Sequence, residues 1–270
     1  MKIHQIQFSP TGTSARIASA IAAGIGYDTI VTDVTLGESG PTLVDAGDIA
    51  IMAAPVYGGH MPYVARKRMS LIRGAGSPCV LVAVYGNRAF ERALADMAAL
   101  ALQQNFVPVA AAAFVGEHSY STSVTPIAQG RPDEADIATA TDFGRKIALR
   151  LADGTLTPAD VTLLTDVASP EASLAAFGKF VAEYSRRRQV SPAPVAPAVD
   201  RHKCDSCGEC AGVCPVDAIS VDGLSSDPSR CIKCCACVKR CARGARTLAS
   251  PFAPVLSEWF SIRKPPVVSF

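Results

Sequence analysis

The chain has 270 residues, 49% of them hydrophobic, and its 26 Lys and Arg against 24 Asp and Glu leave a formal net charge of +2. That length leads us to expect about two domains, and the small charge argues against nucleic acid as the main partner. No apolar run approaches the roughly 18 residues that cross a bilayer, and Met1 to Ser9 lacks the charged-then-apolar pattern of an export signal, so a cytoplasmic location is expected.

The first element, Lys2–Phe8, places Ile3, Gln5 and Gln7 on one face and His4, Ile6 and Phe8 on the other, and stops at Ser9-Pro10-Thr11-Gly12-Thr13-Ser14. A helical stripe of Ile17, Ala18, Ile21, Ala22 and Ile25 follows. A strand, a hydroxyl-rich loop and a helix start suit a phosphate, because hydroxyls, inward-pointing amides and the helix dipole all favour an anion there. The loop lacks the lysine of a nucleotide-hydrolysing P-loop and the three glycines of the dinucleotide fingerprint. The plainer reading is an N-cap at Ser14.

Further strands are expected at Thr29–Val34, Asp48–Tyr57, Pro78–Tyr85 and Val107–Val115, with helices at Tyr63–Arg73, Arg88–Gln104 and Asp133–Leu151. The unbroken apolar runs Ile49–Ala54 and Val80–Val84 read as strands buried on both faces, hence a parallel sheet. Five strands alternating with helices give an α/β, doubly wound fold, whose ligand crevice lies at the carboxyl ends of the strands. Three loops at that edge look specialised: residues 9–14, 55–62 and 85–90. In the joint that follows, Glu171–Arg188 reads as a helix with Leu174, Phe177, Phe180, Val181 and Tyr184 on its inner stripe, and Pro192, Pro194 and Pro197 as a semi-rigid spacer.

The cysteines come next. Cys204-x2-Cys207-x2-Cys210-x3-Cys214-Pro215 recurs as Cys231-x2-Cys234-x2-Cys237-x3-Cys241, each cysteine displaced by 27 residues, which marks an internal duplication. Three thiolates of one tight loop can cap three irons of a cubane, and a fourth must arrive from elsewhere. In two-cluster ferredoxins the fourth cysteine of each run ligates the other cluster. That assigns Cys204, Cys207, Cys210 and Cys241 to one 4Fe–4S cluster, and Cys231, Cys234, Cys237 and Cys214 to the second. Zinc sites pair C-x2-C motifs instead, and a disulfide framework suits a small secreted domain. Thiols reserved for clusters imply a reducing compartment. Ala242 stands where the second run would carry a proline, and Cys235 is an extra thiol read as a bystander. Acids (Asp205, Glu209, Asp217, Asp222) mark the first run and bases (Arg230, Lys233, Lys239, Arg240, Arg243, Arg246) the second, so the second-run cluster is expected to have the higher potential. In the tail, Trp259, Phe260 and Phe270 look ready to dock.

Residues 1–152 resemble a flavodoxin, with S-P-T-G-T-S in place of its FMN phosphate loop. Through VYGGHMP, VYGNRAFERAL, GEHSYST…GRPD and the cysteines, the whole chain is similar to flavodoxin–ferredoxin fusion proteins. The resemblance implies a flavodoxin-like, five-stranded parallel FMN domain at 1–152, a helical and Pro-rich linker at 153–199, a small α+β two-cluster ferredoxin domain at 200–250 and a tail at 251–270. It implies FMN and two 4Fe–4S clusters as cofactors. Ser9, Thr11, Gly12, Thr13 and Ser14 would hold the FMN phosphate. Tyr57 and Gly58 would flank the isoalloxazine, Gly86, Asn87 and Arg88 would meet its pyrimidine edge, and Phe90 would stack.

Flavodoxins often place a Trp in the second loop, so Gly58-Gly59 here leaves the ring more open and favours a small-molecule substrate. His60 and His118 each follow a strand at that edge and could deliver a proton, or merely shape a loop. Arg88 could offset negative charge on the reduced flavin, or serve as an ordinary helix-start arginine. These three are the candidate catalytic residues. The expected function is an oxidoreductase passing electrons between the clusters and FMN. With no pyridine-nucleotide fingerprint, the expected partner is a ferredoxin- or flavodoxin-like electron donor or acceptor. The alternative is an electron-transfer protein working between protein partners alone.

Overall fold

A computed structural model of the chain describes residues 1–37, 39–161, 164–190 and 195–270. It divides into two compact units. The first comprises Met1–Glu117, Ala128–Val167 and Arg263–Phe270, the second His118–Ile127 and Ala168–Ile262. The stretch expected as a linker, 153–199, is thus shared between them. Among the described residues no helix is long and apolar enough to cross a membrane.

In chain order the elements are β1 (Ile3–Gln7), α1 (Thr13–Ile25), β2 (Thr29–Asp33), β3 (Thr42–Val44), β4 (Ile49–Pro55), α2 (Tyr63–Met69), β5 (Ile72–Gly74), β6 (Ser77–Tyr85), α3 (Ala93–Gln103), β7 (Phe106–Val115) and α4 (Glu134–Ala152). The chain continues through α5 (Glu171–Val190), β8 (Ala198–Val199), α6 (Glu209–Gly212), α7 (Ala236–Arg240), β9 (Arg246–Thr247) and α8 (Phe252–Trp259), then closes with β10 (Val267–Ser269).

The first unit is built on a mixed six-stranded sheet in the order β10-β7-β6-β4-β1-β2. Strands β2 to β7 of that sheet are parallel, with Ile3 opposite Ile49, Ala50 opposite Cys79 and Leu81 opposite Ala111. Counted in chain order they run 2-1-3-4-5, the flavodoxin-like order. β3 and β5 form a separate parallel pair. Ile49, Ile51, Val80, Val82, Ala112 and Phe114 bury one face against α1 and α4. Their alternates Ala50, Met52, Leu81 and Ala83 are equally buried, which is why these strands read as unbroken apolar runs. On the first face α1 and α4 touch backbone to backbone. A Cβ on Gly24 would strike the Thr141 carbonyl, and one on Gly144 the Ile21 carbonyl.

The expectation of five strands is corrected to six. Val267–Ser269 pairs antiparallel with β7, Val267 opposite Ala113, and covers an edge that would otherwise be open to strand addition. Phe270 packs on Phe143 at 5.0 Å between ring centres, under the Arg150 guanidinium. Arg263 grips Asp133 at 2.6 Å, and Asp133 itself caps α4 in a reciprocal pair with Asp136. Three strand residues in a polar tail are too short a run for periodicity to reveal. The helix expected from Arg88 begins only at Ala93, because residues 86–92 are held in turns, with Asn87 and Glu91 at positive φ. The helix expected to Arg73 stops at Met69, and Ile72-Arg73-Gly74 becomes β5.

In the second unit α5 has no fully buried residue. It is held by aromatic contacts instead: Phe180 and Tyr184 meet Phe252 at 5.1 and 4.9 Å, and Phe177 meets Phe260 at 5.3 Å. Ile127, Ala253, Leu256 and Phe260 form the small core, with Tyr120 and Trp259 against it. Lys239 Nζ donates to Ser121 O at 2.8 Å and Ser257 Oγ to Pro126 O at 2.8 Å, which ties residues 118–127 into this unit. Pro192 and Pro194 lie outside the described residues. Pro197 is buried, its carbonyl accepting from Ser226 Oγ at 3.0 Å.

Candidate cofactor sites

In the first unit the chain leaves β1 for β2 on one side and reaches β4 on the other. The crevice beyond the carboxyl ends of β1 and β4 is therefore the switch point where such sheets take ligands. The loop after β1 turns on itself, with Gly12 N–H donating to Ser9 O at 3.0 Å. Ser9 Oγ accepts from Ala15 N–H at 3.0 Å, so Ser9 braces the helix start. The N-cap of α1 is Gly12, at φ 84 and without any side-chain cap, so the expected cap at Ser14 is not formed. Open space surrounds the position a Gly12 Cβ would take. The amides of Thr13 and Ser14 are the orphan donors of a helix start. Ser14 is fully enclosed and its hydroxyl has no partner among the described residues. Thr11 and Thr13 are half-buried at the loop's rim.

The loop after β4 closes as a hairpin: Tyr57 N–H donates to His60 O at 3.0 Å, and His60 N–H to Tyr57 O at 3.2 Å. Gly58 and Gly59 both have positive φ, as a turn of this class requires at its two central positions. Open space surrounds the position a Gly58 Cβ would take. A Cβ on Gly59 would strike the Glu91 carboxylate, which grips Arg88 at 2.5 Å. Arg92 N–H also donates to Gly59 O at 2.9 Å, so the second and third loops are locked together and the Arg88 guanidinium is engaged with a carboxylate.

The third loop is held by residues that the sequence did not single out. Asp166 accepts from Phe90 N–H at 2.6 Å and Glu91 N–H at 3.0 Å, and Lys264 Nζ donates to Arg88 O at 2.6 Å. Burial lowers the pKa of Lys264, with Asp166 opposing that shift. Gly86 O accepts from Arg88 N–H, and Asn87 is buried at φ 67. Phe90 is 1% exposed, its ring edge-on to Tyr85 at 5.6 Å. It offers no free face for stacking and belongs to the packing behind the loop. Among the described residues the Tyr85 hydroxyl is enclosed without a partner, and burial, then the Asp166 charge, pushes its pKa up.

His60 and His118 fall in different units. His60 is in the first unit, its side chain 54% exposed, with Nδ1 2.8 Å from Asp96 Oδ2. His118 is in the second unit, where its Nδ1 accepts from Tyr120 N–H at 3.0 Å and its ring lies 4.8 Å from that of Tyr120. Asp96 was missed because a single acid on a helix carries no pattern.

In the second unit the duplication extends to the backbone. Ser206 and its counterpart Lys233 both have φ 57, and Gly208 and its counterpart Cys235 have φ 74 and 58. α6 and α7 begin at equivalent positions, and Cys214 Sγ accepts from Ala218 N–H as Cys241 Sγ does from Ala245 N–H, at 3.2 and 3.3 Å. Cys235 therefore fills the left-handed cap position that glycine takes in the first run. Cys214 lines one pocket with Cys231, Cys234 and Cys237, roofed by Val216 and Ile219. Burial pushes the Cys234 thiol up to about 12, and Cys214 is among the charges acting on it. Cys237 is pushed up to about 11 by burial, against the opposing Arg246 guanidinium. Of the other four, Cys207 is exposed and Cys204, Cys210 and Cys241 are half-buried.

Among the described residues no three His, Cys, Asp or Glu side chains converge on a single-ion position. A cubane needs its thiolates at separate corners instead. Folding pairs part of this charge asymmetry across the runs: Arg243 pairs with Asp205 at 2.9 Å and Arg230 approaches Asp217 at 3.9 Å. Lys233, Lys239 and Arg240 still mark the second run as basic.

Residues 197–220 match the 4Fe-4S binding domain family. No curated protein sequence matches the chain. Among solved structures, it is similar to a flavodoxin from the domain Archaea (14% identity, 56% of this chain and 99% of that one, TM-score 0.36). It is also similar to the Streptococcus pneumonia TIGR4 flavodoxin (20%, 55% and 97%, 0.36) and to an azoreductase from Bacillus anthracis str. Sterne (13%, 55% and 98%, 0.35). By strand order and by the matched cysteine run, the chain joins a flavodoxin-like fold region to a 4Fe–4S binding domain.

Proposed function

We propose that the chain is an iron–sulfur flavoprotein oxidoreductase that holds FMN in its first unit and two 4Fe–4S clusters in its second, and reduces a small molecule. The observation that carries this reading is the duplicated cysteine run, with its repeated left-handed backbone and with Cys214 sharing a pocket with the second run. Cys204, Cys207, Cys210 and Cys241 hold one cluster, and Cys231, Cys234, Cys237 and Cys214 the other. Bound there, the clusters supply one-electron transfer, and FMN couples it to two-electron chemistry.

Thr11, Thr13, Ser14 and the amides around Gly12 receive the phosphate, while Ser9 braces the turn from behind. Tyr57 and Gly58 border the ring, and Gly86, Asn87 and the Arg88 backbone line its polar edge. The Arg88 side chain, held by Glu91, ties the two loops together. His60 moves the proton: Asp96 engages Nδ1, which leaves Nε2 as the ring nitrogen for proton transfer. A reduced ferredoxin- or flavodoxin-like protein supplies the electrons, in a cytoplasmic setting that keeps the thiols reduced.

Steady-state turnover with a reduced ferredoxin as donor and a panel of small two-electron acceptors tests this reading. It predicts turnover with at least one acceptor, and a loss of about a hundredfold or more on His60→Gln, the lower end of a general acid's usual contribution. Reoxidation by a second protein alone, with every small acceptor inert, would show an electron carrier instead.

A further inference from the structure

Arg246, in β9, is 3% exposed. Displaced by the 27-residue repeat, its counterpart in the first run is Ile219, so the duplication puts a guanidinium where its other half has an aliphatic side chain. Its NH1 donates to Gly223 O at 2.6 Å and lies 3.6 Å from Cys210 Sγ, and NH2 reaches Ser226 Oγ and Pro197 O. Among the described residues Nε is enclosed without a partner, and no carboxylate pairs with the guanidinium. An arginine stays charged in any protein environment, and a buried charge without a counter-charge costs several kcal/mol. Its partners here are carbonyls, a hydroxyl and the Cys210 sulfur, so the compensating negative charge has to come from that sulfur and whatever it binds.

Cys210 is in the set 204, 207, 210 and 241. We infer that Arg246 is a redox-tuning residue for the cluster of that set, a buried cation that raises its reduction potential. This inference rests on the cluster sites proposed above. A cluster gains one negative charge when reduced, and a fixed cation hydrogen-bonded to its sulfur favours that state. Low-dielectric surroundings strengthen the effect compared with the exposed Arg243 and Arg230, which water screens. Gly223 belongs to the same device: a Cβ there would press on Cys210 Sγ at 2.9 Å, while its carbonyl fixes the guanidinium.

The test compares the parent chain with Arg246→Gln and Arg246→Lys, purified anaerobically, counted for iron and sulfide, and titrated against potential with paramagnetic resonance as the readout. In Arg246→Gln the reduced-to-oxidised ratio of the Cys210 cluster, the one expected to remain when Cys214 is replaced by serine, should fall at least tenfold at fixed potential, about 59 mV for one electron. Arg246→Lys keeps a charge but is a point cation without the fork, so its shift should be smaller. An unmoved potential of that cluster in Arg246→Gln would overturn the tuning role. So would failure of both variants to assemble clusters, which marks an arginine needed only for the fold. A parent chain without iron–sulfur clusters overturns the cluster sites themselves, an outcome visible before any variant is compared.

Discussion

Replacing Cys214 with serine should empty the cluster site of the second run and leave that of its own run filled. The reason is spatial. Cys214 follows Cys210 in sequence, yet it shares a pocket with Cys231, Cys234 and Cys237 and is among the charges acting on each of those three thiols. A serine oxygen is a poor replacement for a soft thiolate. The expected result is loss of about half the iron and sulfide, with the paramagnetic signal of one reduced cluster retained. Cys241→Ser should give the complementary loss, sparing the second-run cluster. If Cys214→Ser instead strips the cluster of Cys204, Cys207 and Cys210, the exchange of fourth ligands is wrong.

Thr11→Val should weaken FMN binding about ten- to a hundredfold, since a hydrogen bond to a charged group contributes roughly 1.5–3 kcal/mol. The unliganded chain should unfold as before, because no hydrogen bond among the described residues engages the Thr11 hydroxyl. Ser9→Ala offers the contrast. Its hydroxyl oxygen accepts from Ala15 N–H inside the protein, so its loss should cost about 1 kcal/mol of folding stability. Fluorescence titration of FMN beside thermal unfolding of each variant separates the two roles. Unchanged FMN affinity in Thr11→Val would place the flavin away from this loop.

What could be read in the sequence followed from patterns with a short period. Ile49–Ala54 and Val80–Val84 announce strands buried on both faces, and the 27-residue repeat announces the two cysteine loops, because each depends on local spacing. What could not be read depends on contacts between distant residues. β10 is three residues long and gains its place from β7, Phe143 and the Asp133–Arg263 pair. Asp166 and Lys264 hold the 86–92 loop from an irregular stretch and from the tail, where neither has a periodic context. Phe90 was a stacking ring only by the flavodoxin resemblance, and the ring turns inward onto Tyr85. The acid–base asymmetry of the two cysteine runs was plain in the sequence, and folding pairs Arg243 with Asp205 across them. Arg246 looked like one more base of that patch, and burial makes it a different kind of residue.

The cofactor content of the anaerobically purified chain tests the central claim most directly. Acid-labile sulfide, total metal and the flavin released by denaturation are counted in one sample. Two clusters and one flavin per chain predict about eight irons and eight sulfides, with one FMN recovered intact. Zinc in place of iron, sulfide near zero, or FAD in place of FMN would contradict the account.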